Sequence, residues 1–142
     1  MLRPEQRATP DAPRAVAGYT PVDSLSGMPT VADCLFCRIV AGEVPASVVA
    51  QNADAVAFRD ISPQAPLHVL VVPREHHADV AQLAAADPRL LAAVVELADQ
   101  VAGTEADGQF RLIFNTGPEA GQSVFHAHGH VLGGASLGWN PA

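Results

Sequence analysis

The sequence predicts an α+β domain built on an antiparallel sheet of about five strands, with one main helix and a shorter one. Three observations carry that reading. Short β-branched runs, "SVVAQ", "AVAFRD" and "HVLVVP", come first; one long amphipathic stretch, "DPRLLAAVVELADQVAG", follows; strand-like runs, "FRLIFN" and "VFHAHGHVL", then return. The chain has 142 residues, of which 49% are apolar and 16% charged. That is enough for one domain with a hydrophobic core.

Residues 1–33 carry five prolines and no sustained periodicity, which predicts an extended or mobile arm ahead of a domain spanning 34–142. Met28 lies inside the arm, so the first 27 residues could be an upstream extension of the reading frame. "SVVAQ" and "AVAFRD" flank the turn-like "NAD" and read as a hairpin. "HVLVVP" is β-branched and ends at Pro73, as expected of a strand buried on both faces. "ADVAQLAAA" reads as the shorter helix. In the main helix Asp87 is a cap, Pro88 suits the first turn and Gly103 is the expected stop. Leu90, Leu91, Val94, Val95, Leu97, Ala98 and Val101 form its wide apolar face.

The net charge of −7 supplies no basic field for nucleic acid or an anionic membrane. No apolar run approaches the roughly 18 residues that span a bilayer. The N-terminus opens on charges and prolines instead of an apolar leader, so the expected setting is cytoplasmic. The two cysteines form a single Cys34-x-x-Cys37 pair. In a reducing compartment that pair suggests metal or redox use, with two plain thiols as the simpler alternative.

All six histidines fall between His68 and His130, and His126, His128 and His130 occupy every second position of an apolar run. On a strand their imidazoles would share one face. Three such rings can hold a metal, carry out nucleophilic chemistry, or be polar residues on a wet strand. A catalytic zinc would call for acidic neighbours. What precedes the run is "NTGPEAGQS", a glycine-rich loop whose N–H groups suit phosphate oxygens. Phosphorus chemistry fits that context better.

These residues resemble a known family. "AGQSVFHAHGHVLGG" is similar to the signature of the histidine triad (HIT) superfamily, His-x-His-x-His followed by two apolar residues. "RDISPQAPLHVLVVP" resembles the nucleoside-binding strand pair of its Hint branch, and "GGASLGWNP", with Trp139, resembles the Hint tail. Gly133-Gly134 stands where a Fhit-like relative would carry Pro-Arg. The resemblance spans roughly residues 34–142. Two departures stand out. Gly129 replaces a bulky apolar residue, which predicts looser packing behind the strand, and Ala135 and Gly138 replace larger polar residues of the tail.

The resemblance implies a HIT-like fold that dimerises and a nucleoside phosphoramidase of the adenosine 5′-monophosphoramidase kind. Such an enzyme cleaves a purine nucleoside 5′-phosphate, AMP or GMP, from an amine or other leaving group through a nucleotidyl-histidine. His128 would be the nucleophile, His130 would contact phosphate oxygens, and Ser123 would hydrogen-bond the leaving atom. The backbone of Gly121, Gln122 and Ser123 would cradle phosphate, with Asn115 at the phosphate and ribose end. Asp60 would accept from the ribose hydroxyls, Ile61 would pack on the purine, and His68 would orient the triad. Bacterial relatives further imply a structural zinc on Cys34, Cys37, His76 and His126, with no organic cofactor. A nucleotide-binding regulatory module with incidental catalysis, and a zinc hydrolase, are the rival readings.

Overall fold

The computed structural model describes residues 33–139. The expected arm, and Met28 within it, lie outside the described residues. A six-residue helix α1 (Leu35–Val40) opens the domain, followed by strands β1 (Val48–Gln51), β2 (Ala55–Arg59) and β3 (Leu67–Pro73). Helices α2 (Val80–Ala86) and α3 (Pro88–Glu105) come next, then β4 (Phe110–Phe114), a 3₁₀ turn (Pro118–Ala120) and β5 (Gly129–Gly133). The five strands form one antiparallel sheet in the order β1-β2-β3-β5-β4.

Alternation of side chains across the sheet separates a packing face from a chemical face. One face sends Ala55, Ala57, Leu67, Val69, Val71 and Val131 against Val94, Leu97, Ala98 and Val101 of α3. The other sends Val56, Phe58, Leu70 and Val72 against Phe36 of α1. β3 is buried along its whole length, as a central strand covered on both faces must be. His68 lies on the α1 side of β3, and Leu70, which shares that side, is in register with His130 of β5.

The main helix starts where the sequence indicates, and the shorter one gains a cap that was not read from it. Asp79 caps α2 by accepting from Gln82 N–H at 2.9 Å, and Asp87 caps α3 by accepting from Arg89 N–H at 3.0 Å. Three expectations need correction. Gly103 does not end α3, which runs on to Glu105 because Ala106 N–H still bonds to the carbonyl of Ala102. Val95 is 40% exposed, whereas Ala93 and Ala102 are buried, so the covered stripe is rotated away from it. Packing behind Gly129 is tight: a Cβ there would meet Leu112 Cδ1 at 2.8 Å and the Phe114 ring at 3.0 Å. The two large side chains of β4 fill the space that a bulky residue at 129 would take.

Candidate functional site

The run read as one long strand, "VFHAHGHVL", is strand only from Gly129. Ahead of it the backbone leaves the ladder: Ala127 N–H donates to the carbonyl of His77 at 2.7 Å, outside the sheet. The three imidazoles still gather on the α1 side. The Phe36 ring meets His126 and His128 edge-on, at 6.0 and 5.0 Å between centroids, and His128 lies 5.2 Å from His130. Each ring nevertheless has its own partner.

His126 is fully buried, and its Nε2 lies 2.8 Å from the carbonyl of Pro73. A carbonyl only accepts, so Nε2 carries the proton and Nδ1 presents a lone pair. That lone pair faces the sulfurs of Cys34 and Cys37, both at 3.5 Å, and His76 Nδ1 at 3.2 Å. His76 Nδ1 is also 3.3 Å from Cys37 Sγ. All four donor atoms lie within 4.8 Å of one another, and the cluster could hold a metal ion. Neighbouring ligands of a tetrahedral zinc bound through nitrogen and sulfur stand about 3.3–3.8 Å apart, close to the spacing seen. Burial pushes the His126 pKa down to about 4 and lowers that of His76. Uncharged rings are what a cation requires.

His128 is 7% exposed, and its Nδ1 donates to the carbonyl of His126 at 2.8 Å. The proton is thereby fixed on Nδ1, and Nε2 is left with a lone pair. Burial lowers its pKa, which keeps that lone pair available near neutral pH. The ring at the centre of the four-ligand group and the ring of His128 are therefore joined through one peptide carbonyl.

His130 belongs to a third set. Gln64 N–H donates to His68 Nδ1 at 3.0 Å, which puts the His68 proton on Nε2. From Nε2, His130 Nδ1 is 3.0 Å away and Asp60 Oδ2 is 3.4 Å away. Burial, reinforced by neighbouring His128 and His68, pushes the His130 pKa down to about 4.

The remaining expected residues divide. Asp60 joins His68 and His130 in one group, its Oδ1 accepting from Ser62 N–H at 2.7 Å. Ile61 is 99% exposed, so an apolar side chain stands open to solvent beside Asp60. Asn115 is half-buried, and its amide nitrogen would lie 3.7 Å from a Cβ at Gly121. Ser123 is exposed on the loop three residues before His126. Gly121 N–H donates to Pro118 and Gln122 N–H to Gly117, both at 3.1 Å, so those two donors are engaged inside the loop. The Gln122 side chain is likewise committed: Oε1 accepts from Gly117 N–H at 2.9 Å, and Nε2 donates to the carbonyls of Ala78 and Val124 at 2.7 and 3.1 Å. Gln122 shapes the loop from within.

Helix α1 and Phe36 were not read from the sequence. The Cys34 sulfur caps this helix by accepting from Cys37 N–H at 3.4 Å, and cysteine is outside the usual capping set. The tail after Gly134 folds back on β4. Arg111 donates to the carbonyl of Gly138 and stands 5.9 Å from the centre of the Trp139 ring. Trp139 is 82% exposed in the single chain.

A model of the HIT domain matches residues 41–137. An uncharacterized HIT-like protein of Synechocystis is 42% identical over 113 residues, covering 77% of this chain and 96% of that one. A HIT family hydrolase of Legionella pneumophila superposes with a TM-score of 0.73 at 42% identity, covering 78% of this chain and 100% of that one. A hypothetical histidine triad nucleotide-binding protein of Sulfolobus tokodaii gives a TM-score of 0.61 at 30% identity, over 70% of this chain and 68% of that one.

Proposed function

The chain belongs to the HIT domain family, and from that premise we propose that it is a nucleotide-binding hydrolase of the purine nucleoside phosphoramidase kind, working in the cytoplasm. The observation that carries this reading is the 2.8 Å bond from His128 Nδ1–H to the carbonyl of His126, which leaves Nε2 as a lone pair. In the proposed reaction that lone pair forms a bond to the α-phosphorus of AMP or GMP phosphoramidates. The bond from phosphorus to the leaving nitrogen breaks, and the departing amine, hydrogen-bonded by Ser123, takes up a proton from solvent. Water then attacks phosphorus, the electron pair of the histidine–phosphorus bond returns to Nε2, and the nucleoside 5′-monophosphate leaves. His130 stabilises charge on the phosphate oxygens. Asn115 and the Ser123 end of the loop hold phosphate, Asp60 takes the ribose hydroxyls, and Ile61 covers the purine.

Cys34, Cys37, His76 and His126 suit a structural zinc: two thiols and two imidazoles make a closed four-ligand set. When bound, the ion would tie α1 to the histidine loop without an open position for water. Incubation with adenosine 5′-phosphoramidate tests the function. Release of AMP at a rate that His128→Ala abolishes is the expected outcome; binding of AMP without turnover would favour the regulatory-module reading instead.

A further inference from the structure

Asp60, His68 and His130 form a group whose geometry does more than bind. Gln64 N–H occupies His68 Nδ1, so the one proton of the ring sits on Nε2, within reach of the carboxylate Asp60 Oδ2 at 3.4 Å and of His130 Nδ1 at 3.0 Å, which accepts only when the His130 proton is on its Nε2. The same trio has the spacing of a metal site. A metal would need the Nε2 lone pair and would force the proton onto Nδ1, against the Gln64 N–H, so the backbone selects a proton donor here. Asp60 Oδ1 already accepts from Ser62 N–H, which leaves Oδ2 as its open oxygen.

We propose that ribose binding at Asp60 sets the tautomer of His130 through His68. In the empty site the His68 Nε2–H divides between a carboxylate and an imidazole. Ribose hydroxyls donating to Asp60 Oδ2 weaken it as an acceptor, and the His68 proton then commits to His130 Nδ1. His130 in turn carries its own proton on Nε2, where a donor to phosphate oxygen is needed. His68 is thus a positioning residue, and the sugar, remote from the bond that breaks, contributes to the chemical step as well as to binding. This coupling rests on the nucleotide reading given above.

Two measurements test it together. In wild-type protein, imidazole ¹⁵N shifts should show His130 moving toward the Nε2–H form when AMP is added, and not when 2′,3′-dideoxy-AMP is added. In kinetics, the dideoxy phosphoramidate should lose roughly tenfold in kcat, the scale of one charge-assisted hydrogen bond, in addition to any rise in KM. In Asp60→Asn the competing carboxylate is gone while the amide oxygen can still hold Ser62 N–H. There the ribose and dideoxy substrates should agree in kcat within about twofold. A dideoxy effect confined to KM in the wild type, or an unchanged His130 tautomer with AMP bound, would overturn the coupling and leave the nucleotide reading standing. Absence of AMP binding altogether would remove both.

Discussion

At the scale of single residues, the site is a set of decisions about where protons sit. Three imidazoles of one chemical type receive different tasks because each finds a different backbone or side-chain partner. His126 gives its Nε2 proton to Pro73, and His128 gives its Nδ1 proton to His126. His68 holds its Nε2 proton between His130 and Asp60. Replacing His128 by Asn removes the lone pair but little volume. The variant should fold and bind AMP yet lose roughly three orders of magnitude or more in turnover, measured by AMP release. Near-normal turnover would refute the assignment. His130 gives a pH test. Its pKa of about 4 lies below the ordinary histidine value of 6.5, so between those values the unfolded chain takes a proton that the folded chain refuses. Stability is then fully present above about pH 6.5 and declines as pH falls toward 4. Urea midpoints near pH 7 and pH 5 should differ less in His130→Asn than in wild type. The residue types of this site were legible in the sequence, because period-two histidines and a Cys-x-x-Cys pair are rare patterns. The tautomers were not, since they depend on carbonyls brought in by the fold.

At the scale of elements, the sequence was most informative where periodicity and caps agree. The hairpin, the buried β3 and the Asp87 cap all lie where local chemistry puts them. The misreadings occur where tertiary contacts win. The histidine run alternates like a strand, but its first half bonds to the loop after β3 instead of the ladder. Helix α1 is one and a half turns long and gains its place from sulfur and Phe36 contacts, which leave no periodic signal. Gly129 reads as a defect until Leu112 and Phe114 are seen to fill its space. Because α1 and its cap Cys34 carry both thiols and the ring that meets His128, losing the proposed metal should loosen the histidine site from behind. Cys34→Ser should lower zinc content and bring the melting temperature down by several degrees, since a closed site couples metal binding to folding. Wild-type protein purified without chelators and found to hold no metal would count against the zinc.

At the scale of the whole molecule, no helix among the described residues is long and apolar enough to cross a membrane. Edge strand β4 shows five half-buried residues, "FRLIF", and an outer edge that no other strand of the sheet pairs. We propose that this open edge meets a second copy of the chain. A homodimer is expected by light scattering at micromolar concentration. Truncation after Gly134 should alter leaving-group selectivity more than AMP affinity, because the tail, latched by Arg111, carries no proposed nucleoside contact. A strictly monomeric protein at that concentration would contradict this assembly. The claim on which the proposed function depends most is the covalent step at His128, and the stereochemical course at phosphorus tests it most directly. An adenosine 5′-thiophosphoramidate of single configuration, hydrolysed in ¹⁸O-water, should yield product with retention, the outcome of two successive in-line displacements through a nucleotidyl-histidine. Inversion would mean that water attacks the substrate directly, and His128 would not be a nucleophile.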